Sequence, residues 1–247
     1  MSEVTFEVCL EGIDDVYAAK AGGAQRVELC AALVEGGITP SHATIAAAAR
    51  VDIDVMVMIR PRSGDFDYTA RELEVMEADV CYCRSVGVAG VVFGILDPQG
   101  QVAGPQVQRL VEAAGPLSIT FHRAFDVCRD PFAALDRLRD LGVHRVLTSG
   151  QAATVPQGLE LIRRLVAAAG DGIGILPGCG ITPENVAEVL TYTGAREFHA
   201  TAFSPLDSRM VHRNAEVYMG VPGLPEYQRQ LTTSERVENF LRAVKVG

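Results

Sequence analysis

The chain alternates between two hydrophobic periods. Short runs with apolar residues at every second position lead through a glycine or polar turn into Ala- and Leu-rich stretches with apolar residues three to four apart. The first period predicts strands at 5–9, 26–30, 55–60, 90–93, 118–122, 145–149, 173–177 and 197–201. The second predicts helices over about 14–21, 41–49, 68–86, 104–113, 130–141, 156–169, 183–193 and 234–246. Local chemistry marks several boundaries. Thr182-Pro183-Glu184 reads as an N-cap, a proline at the first helical position and an acid in the first turn, and Asp130-Pro131 reads the same way. Gly142 and Gly194 stand where helices are capped at their C-termini. Eight strands alternating with eight helices predict an α/β fold, a TIM (β/α)8 barrel forming a single domain over 1–247. An open doubly wound sheet is the competing arrangement, but no Gly-x-Gly-x-x-Gly follows the first strand. No linker divides the chain. The stretch 204–233 is a long connection containing Pro and Gly before the last helix, either an ordered surface loop or an oligomer contact.

In a barrel, alternate strand residues face the helices and the interior. The apolar set Phe6, Val8, Leu10, Val27, Leu29, Val57, Ile59, Ile119, Phe121, Phe198 and Ala200 belongs on the helix side. The opposite parity aims Glu7 and Cys9, Glu28 and Cys30, Arg60 and Arg62, Thr120 and His122, and Glu197, His199 and Thr201 inward. Glu7, Glu28, Arg60, His122 and His199 then converge toward the carboxyl ends of the strands, the face on which barrels build their sites. Buried charges need partners, so these groups form either a functional cluster or an ion-pair network that fills the barrel.

Composition narrows the chemistry. With 247 residues, 48% hydrophobic and 21% charged, the chain has apolar material for one large core and is not disordered. The net charge of −9 argues against a nucleic-acid partner. No apolar run is long enough to cross a bilayer, and Met1-Ser2-Glu3-Val4 carries no basic or apolar leader, so no membrane partner and a cytoplasmic location are expected. Only Lys20 and Lys245 are lysines, and both fall on helices, which disfavours imine chemistry. The six cysteines, Cys9, Cys30, Cys81, Cys83, Cys128 and Cys179, do not read as a disulfide framework. Cys81 and Cys83 are two apart on a helix and cannot share a face, so one is expected buried and one half-buried.

Two groupings point to ligands. Cys9 and Cys30 lie on adjacent parallel strands about 4.8 Å apart. Such a pair suits a soft ion such as Cu(I), a reversible disulfide, or two small core residues. The second grouping is suited to a small anionic, for example phosphorylated, ligand. Arg60-Pro61-Arg62 presents a rigid arginine pair, and residues 63–67 form a candidate lid. Thr148-Ser149-Gly150 and the turn Gly178-Cys179-Gly180 offer backbone N–H groups where barrels hold phosphate. In that reading Glu7, Glu28 or His122 is the general acid or base, Asp126 orients Arg123 or His122, and His199 completes the last strand's side. Nothing in the sequence marks an organic cofactor.

Several motifs resemble the CutC copper-homeostasis family. They are Phe6-Glu7-Val8-Cys9, Arg26-Val27-Glu28-Leu29-Cys30, Met58-Ile59-Arg60-Pro61-Arg62, Gly64-Asp65-Phe66-Asp67-Tyr68, Thr120-Phe121-His122-Arg123-Ala124-Phe125-Asp126, Leu147-Thr148-Ser149-Gly150 and the Gly178-Cys179-Gly180 turn. The resemblance spans about residues 4–203, and its His-Arg-Ala-Phe-Asp and Ile-Arg-Pro-Arg blocks are specific. It implies a cytoplasmic TIM barrel, a homo-oligomer (dimer or tetramer), and a role in copper handling with Cys9 and Cys30 holding Cu(I). Where the family usually carries a small residue between the two glycines, this chain has Cys179. Two hypotheses follow: a Cu(I)-binding homeostasis protein, or a barrel enzyme acting on a small anion by acid/base chemistry.

Overall fold

The computed structural model describes residues 4–246 apart from 215, 218 and 222; the leader reading made on Met1-Ser2-Glu3-Val4 thus falls largely outside the described residues. Eight parallel strands are laid side by side: β1 (Thr5–Glu11), β2 (Arg26–Cys30), β3 (Asp54–Met58), β4 (Gly90–Phe93), β5 (Ser118–Phe121), β6 (Arg145–Thr148), β7 (Gly174–Pro177) and β8 (Glu197–Ala200). Each pairs with its neighbour in sequence, β8 pairs with β1, and a parallel bridge from Gly178 to His199 closes the ring. The connecting helices are α1 (Ile13–Ala21), α2 (His42–Ala48), α3 (Ala70–Val86), α4 (Gly104–Ala114), α5 (Pro131–Asp140), α6 (Val155–Ala169), α7 (Val186–Thr193) and α8 (Ser234–Val246). This is the (β/α)8 barrel that the alternation predicts.

The helix ends follow local chemistry. Thr69 and Glu72 form a reciprocal capping box at the start of α3. Asp130 accepts from the backbone N–H groups of Phe132 and Ala133, with Pro131 at the first helical position of α5. Gly194 ends α7 with φ 72°, a conformation that costs glycine no Cβ clash. The helix boundary that departs furthest from expectation is the start of α7 at Val186, three residues after Pro183. There Asn185 Oδ1 accepts from Thr182 N (2.9 Å), so residues 183–185 form a turn that the side chain of Asn185 closes before the helix begins.

The outward parity holds. Phe6, Val8, Leu10, Val27, Leu29, Val57, Phe121 and Phe198 are all fully buried in the layer between barrel and helices. Phe6 stacks on Phe198 with ring centroids 4.4 Å apart, and Phe240 of α8 lies 5.0 Å from Phe6, which pins the last helix across the β1–β8 seam. A separate buried cluster of Cys9, Cys30, Met56, Met58 and Val92 fills the interior. The register is staggered: Glu7 lies beside Arg26, Cys9 beside Glu28 and Glu11 beside Cys30. Closing a barrel requires this shear between strands. The lateral neighbour of Cys9 is therefore a carboxylate, with Cys30 one inward position further along β2.

The connection 204–233 is mostly an arm. Two antiparallel strands, β9 (Phe203–Asp207) and β10 (Gln228–Thr232), carry an outer segment that exposes Met210, Val211, Val217, Met219 and Leu224. The arm is anchored where Asp15 of α1 accepts from Thr232 N (2.9 Å).

Candidate metal centre and cavity at the barrel mouth

The lower barrel interior is ionic. Glu7 accepts from Arg26 Nε and pairs with His199 Nδ1 (2.8 Å). Arg26 reaches on to Glu197 (2.5 Å), which also takes Arg145 Nε (3.1 Å). Arg145 in turn donates to Ser118 Oγ and Thr120 Oγ1 (3.2 Å each). Burial alone would raise the carboxyl of Glu7, but Arg26 and the His199 hydrogen bond outweigh it and hold it at about 2.

One step toward the mouth stands a thiol and carboxylate group. Cys9 Sγ lies 3.3 Å and Cys30 Sγ 3.6 Å from Glu28 Oε2, and His199 Nε2 lies 3.7 Å from the same oxygen. One donor atom from each of Cys9, Glu28 and Cys30 falls within 4.8 Å of the others, all three buried. Glu7, Glu28 and His199 form a second such group, but Arg26 already neutralises Glu7 there.

Charge balance explains how these groups titrate. Arg26, Arg145 and protonated His199 face Glu7 and Glu197, which leaves one negative charge to be carried among Cys9, Glu28 and Cys30. A hydrogen bond from Cys30 lowers the Cys9 thiol to about 5; burial opposes this, and His199 assists it. Burial, reinforced by the neighbouring Cys9 thiolate, pushes the Glu28 carboxyl well up. Cys30 is pushed up because its proton is donated to Cys9, and burial adds to this. Burial works against protonated His199, yet Glu28, Cys9 and Glu7 together raise it well above the usual imidazole range. A buried thiolate beside a second thiol is a soft donor set, and it fits a monovalent copper ion.

Above this group opens a cavity of about 520 Å³. Cys9, Glu28 and His199 reach it from below, and Leu33, Met58, Phe66, Leu147, Ile181 and Ala200 give it largely apolar walls. Among residues expected at a site, Arg60, His122, Arg123, Asp126 and Gly180 also line it. Glu7 supports His199 from beneath, and Cys30 stands behind Cys9 and Glu28. Phe66 comes from the expected lid 63–67, whereas Leu33, Glu35 and Val127 were not singled out from the sequence, because they come from short turns beyond the strand ends, where alternation has stopped.

The expected anion clamp is assembled differently. Arg60 Nη1 donates to the carbonyls of Glu35 and Gly37 (3.0 Å each) and Nη2 to that of Gly64 (2.9 Å), so its guanidinium ties two loops over the mouth. Arg62 turns outward to Glu72 (2.6 Å) and Asp65 (3.0 Å) and does not reach the cavity. The physical reason is that β3 ends at Met58, so strand parity does not extend to 60 and 62. Thr148 and Ser149 frame Asp126 instead of the cavity. Asp126 accepts from Arg123 Nε (2.7 Å), Thr148 Oγ1 (2.5 Å), Ser149 N (3.0 Å) and Gln151 N (3.2 Å). Gly150 packs on Gly158, and its N–H bonds Thr148 Oγ1 (2.9 Å). Gly178 N donates to Thr148 O (3.0 Å), and a Cβ there would meet Leu147 at 2.5 Å and His199 at 3.1 Å, so this glycine permits close packing instead of cradling an anion. Cys179 does line the wall, with φ 90° and its thiol toward Ala153 O (3.3 Å). On α3, Cys83 is buried, its thiol pushed up to about 12 by burial, and Cys81 is half-buried.

Comparison with known proteins agrees with these features. The model of the CutC family matches residues 4–204. A family protein CutC of Bacteroides thetaiotaomicron is 44% identical over 248 residues, covering 99% of this chain and 100% of that protein. The copper homeostasis protein cutC homolog of Homo sapiens is also 44% identical, covering 95% of this chain and 86% of its own length. The crystal structure of a CutC protein from Streptococcus agalactiae superposes with a TM-score of 0.77 at 33% identity, covering 80% of this chain and 98% of that one. With the family model spanning residues 4–204 and relatives at 44% identity over nearly their whole length, this chain belongs to the CutC family.

Proposed function

We propose that this protein serves copper homeostasis in the cytoplasm by binding Cu(I) between Cys9 and Cys30 at the floor of the barrel mouth. The observation that carries this reading is the convergence of Cys9, Glu28 and Cys30 into one buried donor group. Two sulfurs supply the soft ligands, His199 compensates the negative charge of the thiol and carboxyl group, and the cavity is the route of entry. The name of the human relative supports copper as the ion. All six cysteines carry free thiols, which suits a reducing compartment, and no described helix is long and apolar enough to cross a membrane. The anionic-substrate reading loses its main support, because Arg60 and Arg62 are engaged with the protein's own carbonyls and carboxylates. The same proposal includes self-association into a dimer or tetramer, supported by the exposed Met210, Val211 and Met219 on the arm and tested by sedimentation.

Anaerobic competition against a chromophoric Cu(I) chelator tests the copper reading. The wild type is expected to withdraw copper from the chelator. The Cys9→Ser/Cys30→Ser variant is expected to lose affinity by more than about 100-fold, beyond the range of outer-sphere changes. Equal affinity in a folded double variant refutes it.

A further inference from the structure

Strand alternation turns two methionines into the barrel beside the thiol pair. On β3, Val57 is fully buried against the helix layer, so Met56 and Met58 face inward, where they pack with Cys9, Cys30 and Val92. Register sets their levels. Met56 stands beside Glu28, and Val57 beside Leu29. One residue further on, Cys30 and Met58 end β2 and β3 as lateral neighbours, on strands about 4.8 Å apart.

The two thioethers take different directions. Met56 lies beside Gly90 of β4, and a Cβ on that glycine would lie 2.6 Å from Met56 Sδ and 2.5 Å from its Cε. The Met56 sulfur therefore rests over β4, on the side away from β2. Next to Met58, β4 carries Val92, which is fully buried and fills the corresponding space. Met58 lines the cavity, and Met56 does not. Among the described residues, the other sulfur-bearing residues on the cavity lining are Cys9 and Cys179, and Cys179 turns its thiol to Ala153 O (3.3 Å). Met58 and Cys9 thus front the cavity, with Cys30 behind them.

A thioether is a soft, neutral donor. It suits monovalent copper and places no further charge in a buried site, as a third thiolate or a carboxylate would. A leucine of similar volume would fill this part of the wall, as Leu33 and Leu147 do elsewhere in it, so the sulfur is what methionine adds here.

We propose that Met58 is a third ligand, its Sδ completing a three-sulfur site for Cu(I) with Cys9 and Cys30. The assignment rests on the copper reading and extends it to β3.

Protein grown on selenomethionine, loaded anaerobically with an equimolar amount of Cu(I), is measured by X-ray absorption at the copper edge. The wild type is expected to show two sulfur neighbours and one selenium neighbour around copper. Met58→Leu is expected to lose the selenium neighbour and Met56→Leu to keep it. In chelator competition Met58→Leu is expected to lower Cu(I) affinity by at least about tenfold, the low end of what residues supporting a metal contribute. Copper bound by the wild type without a selenium neighbour, a selenium neighbour that persists in Met58→Leu, or equal affinity in that variant overturns the proposal. If Met58→Leu does not fold, the spectra of the wild type and Met56→Leu decide. Copper held by sulfur without selenium overturns the Met58 assignment alone and leaves the thiol pair standing, whereas no copper uptake by the wild type overturns both.

Discussion

Replacing Glu7 with glutamine probes the ionic floor on which His199 and the thiol group rest. Glu7 is fully buried and holds two partners, Arg26 and His199. The carboxyl falls from 4.5 to about 2, a difference of about 2.5 pH units at about 1.4 kcal/mol each, or about 3 kcal/mol. Breaking a buried charge pair by removing one member typically costs about 3–5 kcal/mol, so two separate lines of reasoning meet. Because the folded-state value is depressed, this stability is present above about pH 4.5 and is lost as the pH falls toward 2. Glu7→Gln is therefore expected to lose about 3 kcal/mol at pH 7, or roughly 6–12 °C in melting temperature for a chain of this size. Its deficit against wild type is expected to shrink progressively below pH 4.5. Urea denaturation followed by far-ultraviolet circular dichroism across pH 2 to 8 measures both quantities. A variant within about 0.5 kcal/mol of wild type at pH 7, or a deficit that does not change with pH, refutes the reasoning.

Three further outcomes follow from other parts of the fold. Burial raises the Asp15 carboxyl to about 6, so stability is fully present below its ordinary value and is lost as the pH rises through 6. Asp15→Asn keeps an acceptor for Thr232 N and is expected to gain about 1 kcal/mol at pH 8 and nothing at pH 4, read by thermal melts at both values. Gly158→Ala places a Cβ 2.0 Å from Ser149 O and 2.9 Å from Gly150 Cα, both backbone, and is expected to cost about 2–3 kcal/mol in urea denaturation. Arg60→Met frees the loop carbonyls of Glu35, Gly37 and Gly64 and is expected to raise amide hydrogen exchange at residues 33–37 and 63–66, while Arg62→Ala leaves it unchanged at 33–37.

What could be read from the sequence was whatever strand alternation controls. On β1, β2 and β8 each outward position is apolar, so Glu7, Cys9, Glu28, Cys30 and His199 had one place left to point, and the structure has them there. Alternation says nothing about shear, so the placement of Cys9 beside Glu28 was not visible in it. Beyond the strand ends the signal stops. Arg60 and Arg62 continue the alternation in the sequence, but β3 ends before them, and turn geometry sends one into a clamp on loop carbonyls and the other to the surface. The roof formed by Leu33 and Phe66 depends on a 3-10 turn and a loop whose positions come from packing against Arg60. The arm of β9 and β10 was hidden for another reason: an edge hairpin exposed on most of its surface carries little of the apolar alternation that marks a core strand.

Anomalous diffraction at the copper edge from crystals loaded anaerobically with Cu(I) tests the central claim most directly. A single anomalous peak is expected between the sulfurs of Cys9 and Cys30, beside Glu28 and beneath the cavity. A strong peak at Cys81, Cys179 or a surface histidine, with none at the Cys9 and Cys30 pair, contradicts it.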